Sequence, residues 1–494
     1  MNPGRLVLVT GGTGYVGGCL VPRLLERGYR VRMLVRDPGQ LTGRAWLPQV
    51  EVVPGDTLTP SALDQSMQGI WAAYYLIHNM ASGRNYYEKE IESARNFASA
   101  AGAHEVEHII YLGGLADPDK DIGLHLRSRI QTGDTLRQGS VPVTEFRASL
   151  IIGSGSISFE MIRYLTEQFP LVFGPPWMHN RTQPIAIQNV LDYLIAALEN
   201  PVSRGKIYEI GGKDILTYAG TISVYARLRG LQRRMLILSG MSVGLMARVV
   251  GMLTPVPARI AGPLLGGMRS DSVVHDEAAS RDFPQIEPVD YETSVRQALQ
   301  RLSPGTLETG WEKGASSFRT KQEGFFIEGQ QIQLDALPEA AYRTITGLGG
   351  RNGWLYLNGL WKLRGFFDWL IGGPGLRGVR TTAALVEGDI LDFYRVEALE
   401  PNRLVRLRAE LKAPGLGWME WHIRQQSQGG VALTQIAYFA PTGLPGFLYW
   451  YLLLPFHRLV FAGLVKAIAR RAAETQNSLP RRRHAKTNFP KKGS

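Results

Sequence analysis

The run Gly11-Gly12-Thr13-Gly14-Tyr15-Val16-Gly17 places three glycines at the spacing G-x-x-G-x-x-G, and Gly18 follows at once. Such a turn at the start of a helix lets a diphosphate approach main-chain N–H groups, where orphan donors and the helix macrodipole favour an anion. Side chains would block that approach. The spacing assigns Gly11 to the tight turn, Gly14 to close approach of the pyrophosphate and Gly17 to packing of helix on strand. Gly12, Thr13, Tyr15 and Val16 complete the cofactor-facing turn.

About 20 residues beyond such a turn, an acid at the end of the second strand bonds the ribose hydroxyls of NAD, whereas an arginine accommodates the 2′-phosphate of NADP. The chain has Arg36 there, followed by Asp37. A guanidinium forks onto phosphate oxygens with charge-assisted bonds, so the expected cofactor is NADP. In the alternative, Arg36 is solvated and Asp37 takes the ribose of NAD. Asp56 stands where a carboxylate accepts the adenine amino group or caps the following helix. His78-Asn79-Met80 ends another strand, where ligands of a parallel sheet bind, which makes Asn79 a further cofactor-binding candidate.

The elements that must position these residues alternate along the chain. Apolar strand-like runs occur at 6–10, 31–35, 50–53, 72–77, 108–112, 143–147 and 207–210, with helical spacing at 19–27, 61–67, 86–101 and 124–138 between them. Strands alternating with helices of this length specify an α/β fold, a doubly wound parallel sheet of Rossmann type covered on both faces.

At 494 residues the chain exceeds one ordinary core, so two or three domains are expected. The one cysteine, Cys19, excludes a disulfide framework and fits a reducing compartment. Met1 to Arg5 runs straight into a strand with no secretory pattern, and the expectation is a cytoplasmic protein. Net charge is +12, and six of the cations, Arg481, Arg482, Arg483, Lys486, Lys491 and Lys492, lie beyond residue 480 with no acid among them. Residues 480–494 read as a disordered basic tail whose target is anionic lipid, nucleic acid or nothing. Zinc spacings, helix-turn-helix patterns and aromatic–basic interleaving are absent elsewhere, so specific nucleic-acid readout is not expected.

Residues 211–302 change to helices with prolines and read as a substrate-side lobe, which sets the first domain at 1–302. Within it, the uncharged stretch Met235 to Ala247 reads as an apolar helix, either core or the wall of an apolar substrate pocket. The polar, aperiodic residues 303–324 read as a linker. A second domain at 325–479 shows strand-like alternation at 325–335, 390–397, 403–410, 417–424 and 431–439, and then a long helix, 447–473. Six of the ten tryptophans fall in it, Trp354, Trp361, Trp369, Trp418, Trp421 and Trp450, and either line a ligand cavity or fill the core. His422 and His457 are isolated and read as structural, and no metal constellation appears. Phe439 to His457 is uncharged over nineteen residues, but Pro441, Pro445 and Pro455 favour a helix packed on the sheet, with peripheral membrane contact as the alternative.

The motifs Thr10 to Gly17, Val35-Arg36-Asp37-Pro38 and Gly55-Asp56 resemble an atypical extended short-chain dehydrogenase/reductase. The nearest group is the NmrA-like and complex-I-accessory-subunit-like branch, often labelled nucleoside-diphosphate-sugar epimerase. Phe146 to Gly153 and Gln183-Pro184-Ile185-Ala186 resemble later blocks of a bacterial subgroup, and the likeness covers residues 1 to about 300. Catalytic members carry a serine or threonine after the fifth strand and a Tyr-x-x-x-Lys pair. Here those positions read Gly113-Gly114 and His125-Leu126-Arg127-Ser128-Arg129, so the usual acid–base pair is absent. His125, with an unperturbed pKa near neutrality, and Arg129, a fixed cation for the nicotinamide ribose, are the catalytic candidates by position. Asn352-Gly353-Trp354, Phe393-Tyr394-Arg395-Val396 and Pro455-Phe456-His457-Arg458 resemble an uncharacterised START or polyketide-cyclase-like helix-grip domain, a fold class that holds apolar ligands between sheet and helix. The resemblance implies an oxidoreductase acting on an apolar carbonyl or quinone-like substrate. Its rival is a non-catalytic NAD(P)H sensor or complex-assembly protein that has lost the Tyr-Lys pair.

Overall fold

A computed structural model describes residues 4–41, 44–78, 85–116, 122–300, 304, 317–349, 352–377, 385–426 and 430–478 of the chain. They fall into two compact units, one built from the described residues up to 304 with 321–325 and 441–447, the other from 317–320 and those within 326–440 and 448–478.

The first unit contains β1 (Leu6–Thr10), β2 (Arg30–Val35), β3 (Val50–Pro54), β4 (Ala72–Tyr75), β5 (His108–Gly114), β6 (Val143–Ala148), β7 (Ile151–Ile152), β8 (Leu171–Gly174), β9 (Arg181–Thr182), β10 (Ile185–Ala186), β11 (Ile207–Ile210), β12 (Leu216–Thr217) and β13 (Arg234–Ile237). Its helices are α1 (Tyr15–Glu26), α2 (Pro60–Met67), α3 (Tyr86–Ala103), α4 (Leu124–Arg137), α5 (Ile157–Gln168), α6 (Ile187–Glu199), α7 (Tyr218–Leu228), α8 (Val243–Leu253), α9 (Ala258–Gly267), α10 (Ala278–Asp282) and α11 (Tyr291–Gln300).

Seven strands pair in the order β11-β6-β5-β4-β1-β2-β3, every pair parallel. All five residues of β1 are buried, because a sheet covered on both faces excludes water from both. Val7 and Val9 point into a core with Cys19, Leu20 and Leu194. Leu6 and Leu8 alternate to the other side, against Leu63, Met67 and Phe97. The expected doubly wound sheet is therefore present, with its strand ends facing one edge.

Met235 to Ala247 is not one helix. Residues 234–237 pair in parallel with β8, Gly240 turns the chain at φ +83°, and the Ser242 hydroxyl accepts from the Leu245 N–H to start α8. Apolar composition was legible there; the Gly-Met-Ser break and helix cap decided the structure.

The remaining elements, which lie mainly in the second unit, are β14 (Ser317–Gln322), β15 (Phe325–Leu334), α12 (Pro338–Thr346), α13 (Asn358–Leu370), β16 (Ile390–Leu391), β17 (Tyr394–Glu400), β18 (Leu404–Ala409), β19 (Gly415–Gln425), β20 (Val431–Pro441) and α14 (Gly443–Ser478). The sheet order is β14-β15-β20-β19-β18-β17-β16, with antiparallel pairing in β15–β20 and along the meander β16–β19. Leu464, Val465, Ile468 and Ala472 of α14 pack with Trp421, Ile423 and Leu433 of the sheet. Five of the six tryptophans are buried, Trp354, Trp361 and Trp421 of them in this interior, and Trp369 is exposed. Residues 317–322 belong to the sheet rather than to a linker. Phe318 lies over Gly329 of β15, where a Cβ would meet its ring, so a bare backbone holds this edge strand through an aromatic contact. Most of the remaining expected linker and the whole 480–494 tail lie outside the described residues.

Candidate functional site

Gly14 caps α1 with an extended backbone, φ −78° and ψ 175°, and no side chain caps the first turn. The helix start is thus left to an external acceptor. Gly11 sits at φ +74°, and a Cβ there would lie 2.4 Å from the Leu76 carbonyl oxygen. At Gly17 a Cβ would lie 2.5 Å from the Gly11 oxygen and 2.8 Å from the Gly12 Cα. These contacts fit the turn and packing parts expected of the two glycines.

The turn opens into a cavity of about 490 Å³ beyond the carboxyl ends of β1, β4 and β5. Gly11, Thr13, Gly14, Tyr15, Val16 and Gly17 line one end, together with Arg36 and Asp56. Gly12 is buried against Met33 instead. His125 and Arg129 line the other end, with His78 beside them. Met161, Ile260, Leu264 and Met268 supply apolar wall, so the lobe reaches the site through α9 and not through residues 235–247. Asn79 lies outside the described residues.

At the glycine-turn end, Arg36 is exposed, and no ion pair among the described residues involves it. The Asp37 carboxylate is taken by its own turn, accepting from the Gly39 N–H at 3.0 Å and the Gln40 amide at 3.4 Å. Asp56 Oδ1 accepts from the Leu58 N–H at 3.0 Å, which fixes the carboxylate at the cavity wall.

At the far end, His125 and Arg129 stand four apart on one face of α4, and both are buried. Burial pushes the His125 ring down to about 3, with the neighbouring His78 and Arg129 acting in the same direction. The imidazole is therefore neutral at neutral pH, in contrast to the near-neutral titration expected from sequence. Arg129 donates to the Ile77 carbonyl at 2.9 Å and to the Leu112 carbonyl, tying the ends of β4 and β5 together. The Tyr111 hydroxyl donates to the Arg129 carbonyl at 2.7 Å, and burial raises its pKa far above the ordinary phenol range. Tyr111 is thus no proton donor.

Sequence reading missed the pair that completes this end. His78 Nδ1 lies 2.7 Å from Glu90 Oε1, and Ser128 donates to Glu90 Oε2. The Glu90 carboxylate is fully buried; burial pushes its pKa up, but the bonds from His78 and Ser128 and the charge of Arg129 outweigh that and hold it near 2. Burial also lowers the His78 pKa, against the opposing pull of Glu90. The outer ring nitrogens, His78 Nε2 and His125 Nδ1, are buried and without a hydrogen-bond partner among the described residues. Buried polar atoms ordinarily have partners, so two such nitrogens on neighbouring rings mark an unsatisfied polar spot at this end of the cavity.

Residues 11–132 match the model of a family described as NAD(P)H-binding, and residues 324–464 match one described as a protein of unknown function (DUF2867). A (4-alkanoyl-5-oxo-2,5-dihydrofuran-3-yl)methyl phosphate reductase of Streptomyces griseus is 28% identical over 233 residues, 46% of this chain and 74% of its own. A ceramide reductase of Caulobacter vibrioides is 25% identical over 315 residues, 62% of this chain and 96% of its own. An NADPH-dependent quinone oxidoreductase of Escherichia coli, crystallised with NADPH, matches 59% of this chain and 99% of its own at 18% identity and a TM-score of 0.48. The first unit has a sheet of Rossmann type whose residues 11–132 are an NAD(P)H-binding domain, and it is similar in sequence to reductases.

Proposed function

We propose that the chain is an NADP(H)-dependent oxidoreductase that moves a hydride between the dinucleotide and an apolar carbonyl or quinone-like substrate. The observation that carries this reading is one cavity that joins the glycine turn and Arg36 to His78 and His125 beneath an apolar wall. Bound at that turn, the dinucleotide supplies or accepts the hydride. Gly11 to Gly17 hold its diphosphate, Asp56 its adenine side and Arg36 the 2′-phosphate. Engagement of Asp37 in its own turn favours NADP over NAD.

His78 takes the part of the absent tyrosine. With Nδ1–H donated to Glu90, the His78 ring lines the cavity with Nε2 covered; uncovered as substrate seats, Nε2 accepts the hydroxyl proton when an alcohol is oxidised and returns it to the oxygen when a carbonyl is reduced. Glu90 stabilises the imidazolium formed in between, as an orienting carboxylate does for a catalytic histidine. His125, neutral and stacked on His78, offers Nδ1 to the substrate oxygen, while Arg129 positions the strand ends around both rings. For the second unit, the helix packed on an antiparallel sheet supports the helix-grip likeness.

NADPH consumption with a panel of quinones and long-chain aldehydes and ketones tests the reading. The expected result is turnover that falls roughly 100-fold or more in His78→Phe, the range of a lost acid–base group, with NADPH affinity retained. NADPH bound but consumed with none of these substrates would favour the sensor or assembly reading.

A further inference from the structure

We propose that the second unit carries a docking surface for an anionic lipid bilayer, formed by α13 and the first half of its portion of α14. On α13, Phe366, Phe367, Trp369 and Leu370 face solvent, Trp369 at 63% exposure. On α14, Leu448, Leu452, Phe456 and Leu459 recur at helical spacing on the exposed side, Leu452 at 73%. The two helices adjoin, since Arg364 donates to the Tyr449 hydroxyl at 3.0 Å and the Trp361 and Phe461 rings lie 6.5 Å apart. Exposed apolar side chains gathered on two adjoining helices mark an interaction site. Exposed aromatics beside long aliphatic residues suit the headgroup boundary.

Charge selects the occupant. The single acid of α13, Asp368, is fully buried, with its carboxylate accepting from the Gly375 and Lys412 N–H groups. From Gly443 onward α14 carries no acid before Glu474, whereas Lys362, Arg364, Arg458 and Lys466 are cationic. Beyond the helix follow the six cations of residues 481–494. A second copy docked on this face would bring like charges together, which is unfavourable.

Gly443–Gln476 is long and apolar enough to cross a membrane by length and composition. Its later turns, however, bury Leu464, Val465 and Ile468 against the sheet, which leaves one face for lipid and fits a helix lying on a bilayer.

Co-sedimentation of the full chain with phosphatidylcholine vesicles, with and without phosphatidylglycerol, tests the proposal. Wild type is expected to pellet with the anionic vesicles and to lose affinity at least about tenfold in Leu452→Glu/Phe456→Glu, because each substitution places a charge at the lipid face. Brominated lipids should quench wild-type tryptophan fluorescence, and the quenching should drop in Trp369→Phe, a substitution that leaves the fold intact. No pelleting, pelleting equal in the two proteins, quenching unchanged in Trp369→Phe, or a lipid-free dimer dissolved by the double substitution would each overturn it.

Discussion

His78 and His125 lie face to face, ring centroids 4.8 Å apart and planes within 10°, with the carboxylate of Glu90 behind the first ring. Two imidazoles stacked in a buried site cannot both be charged, so the pair takes up at most one proton beyond the two of its neutral rings, and Glu90 favours His78 as the ring that takes it.

Glu90→Gln removes the anion that raises the His78 pKa. Carbonyl reduction needs the His78 imidazolium, so activity falls as pH rises through that pKa. The variant should show this fall at lower pH than wild type, together with a lower kcat. A pH–rate profile of kcat/KM checks it, and an unshifted limb would remove Glu90 from the proton path.

Stability should also respond to acid in a defined direction. His125 titrates at about 3 when folded against an ordinary value near 6.5, so the unfolded chain binds more protons between those limits. Stability from the neutral ring is fully present above 6.5 and is lost as pH falls toward 3. Glu90, held near 2, adds to the loss below about 4.5. His125→Phe should therefore lose less Tm than wild type between pH 7 and pH 4, read by calorimetry. Equal losses would show that the ring is not held neutral by its surroundings.

Gly17→Ala places a methyl against the Gly11 carbonyl and the Gly12 backbone, where no flexible side chain can give way. Overpacking of this kind costs about 1–3 kcal/mol. Thermal unfolding should report that loss, and NADPH binding should weaken with it, since the same movement displaces the turn.

The strand, turn, helix and strand at the amino end were legible in sequence because apolar period, glycine placement and element length agreed at every step. Residues 235–247 were misread because apolar content does not distinguish a strand followed by a capped helix from one helix. The linker was read too long because the edge strand at 317–322 is polar and depends on Phe318 meeting Gly329. The His78–Glu90–His125 cluster depends on contacts between a strand end and two helices. One signal was present: Glu90 shares the buried face of α3 with Ser93, Ala94, Phe97 and Ala101, and a carboxylate on such a face requires a partner.

Titration of NADPH and NADH into the purified protein, beside Arg36→Ala, tests the central claim most directly. The account predicts tighter binding of NADPH, a loss of roughly 10-fold or more for NADPH in the variant, as for a charge-assisted bond removed, and little change for NADH. Failure of both nucleotides to bind, or tighter binding of NADH that Arg36→Ala leaves untouched, would contradict it.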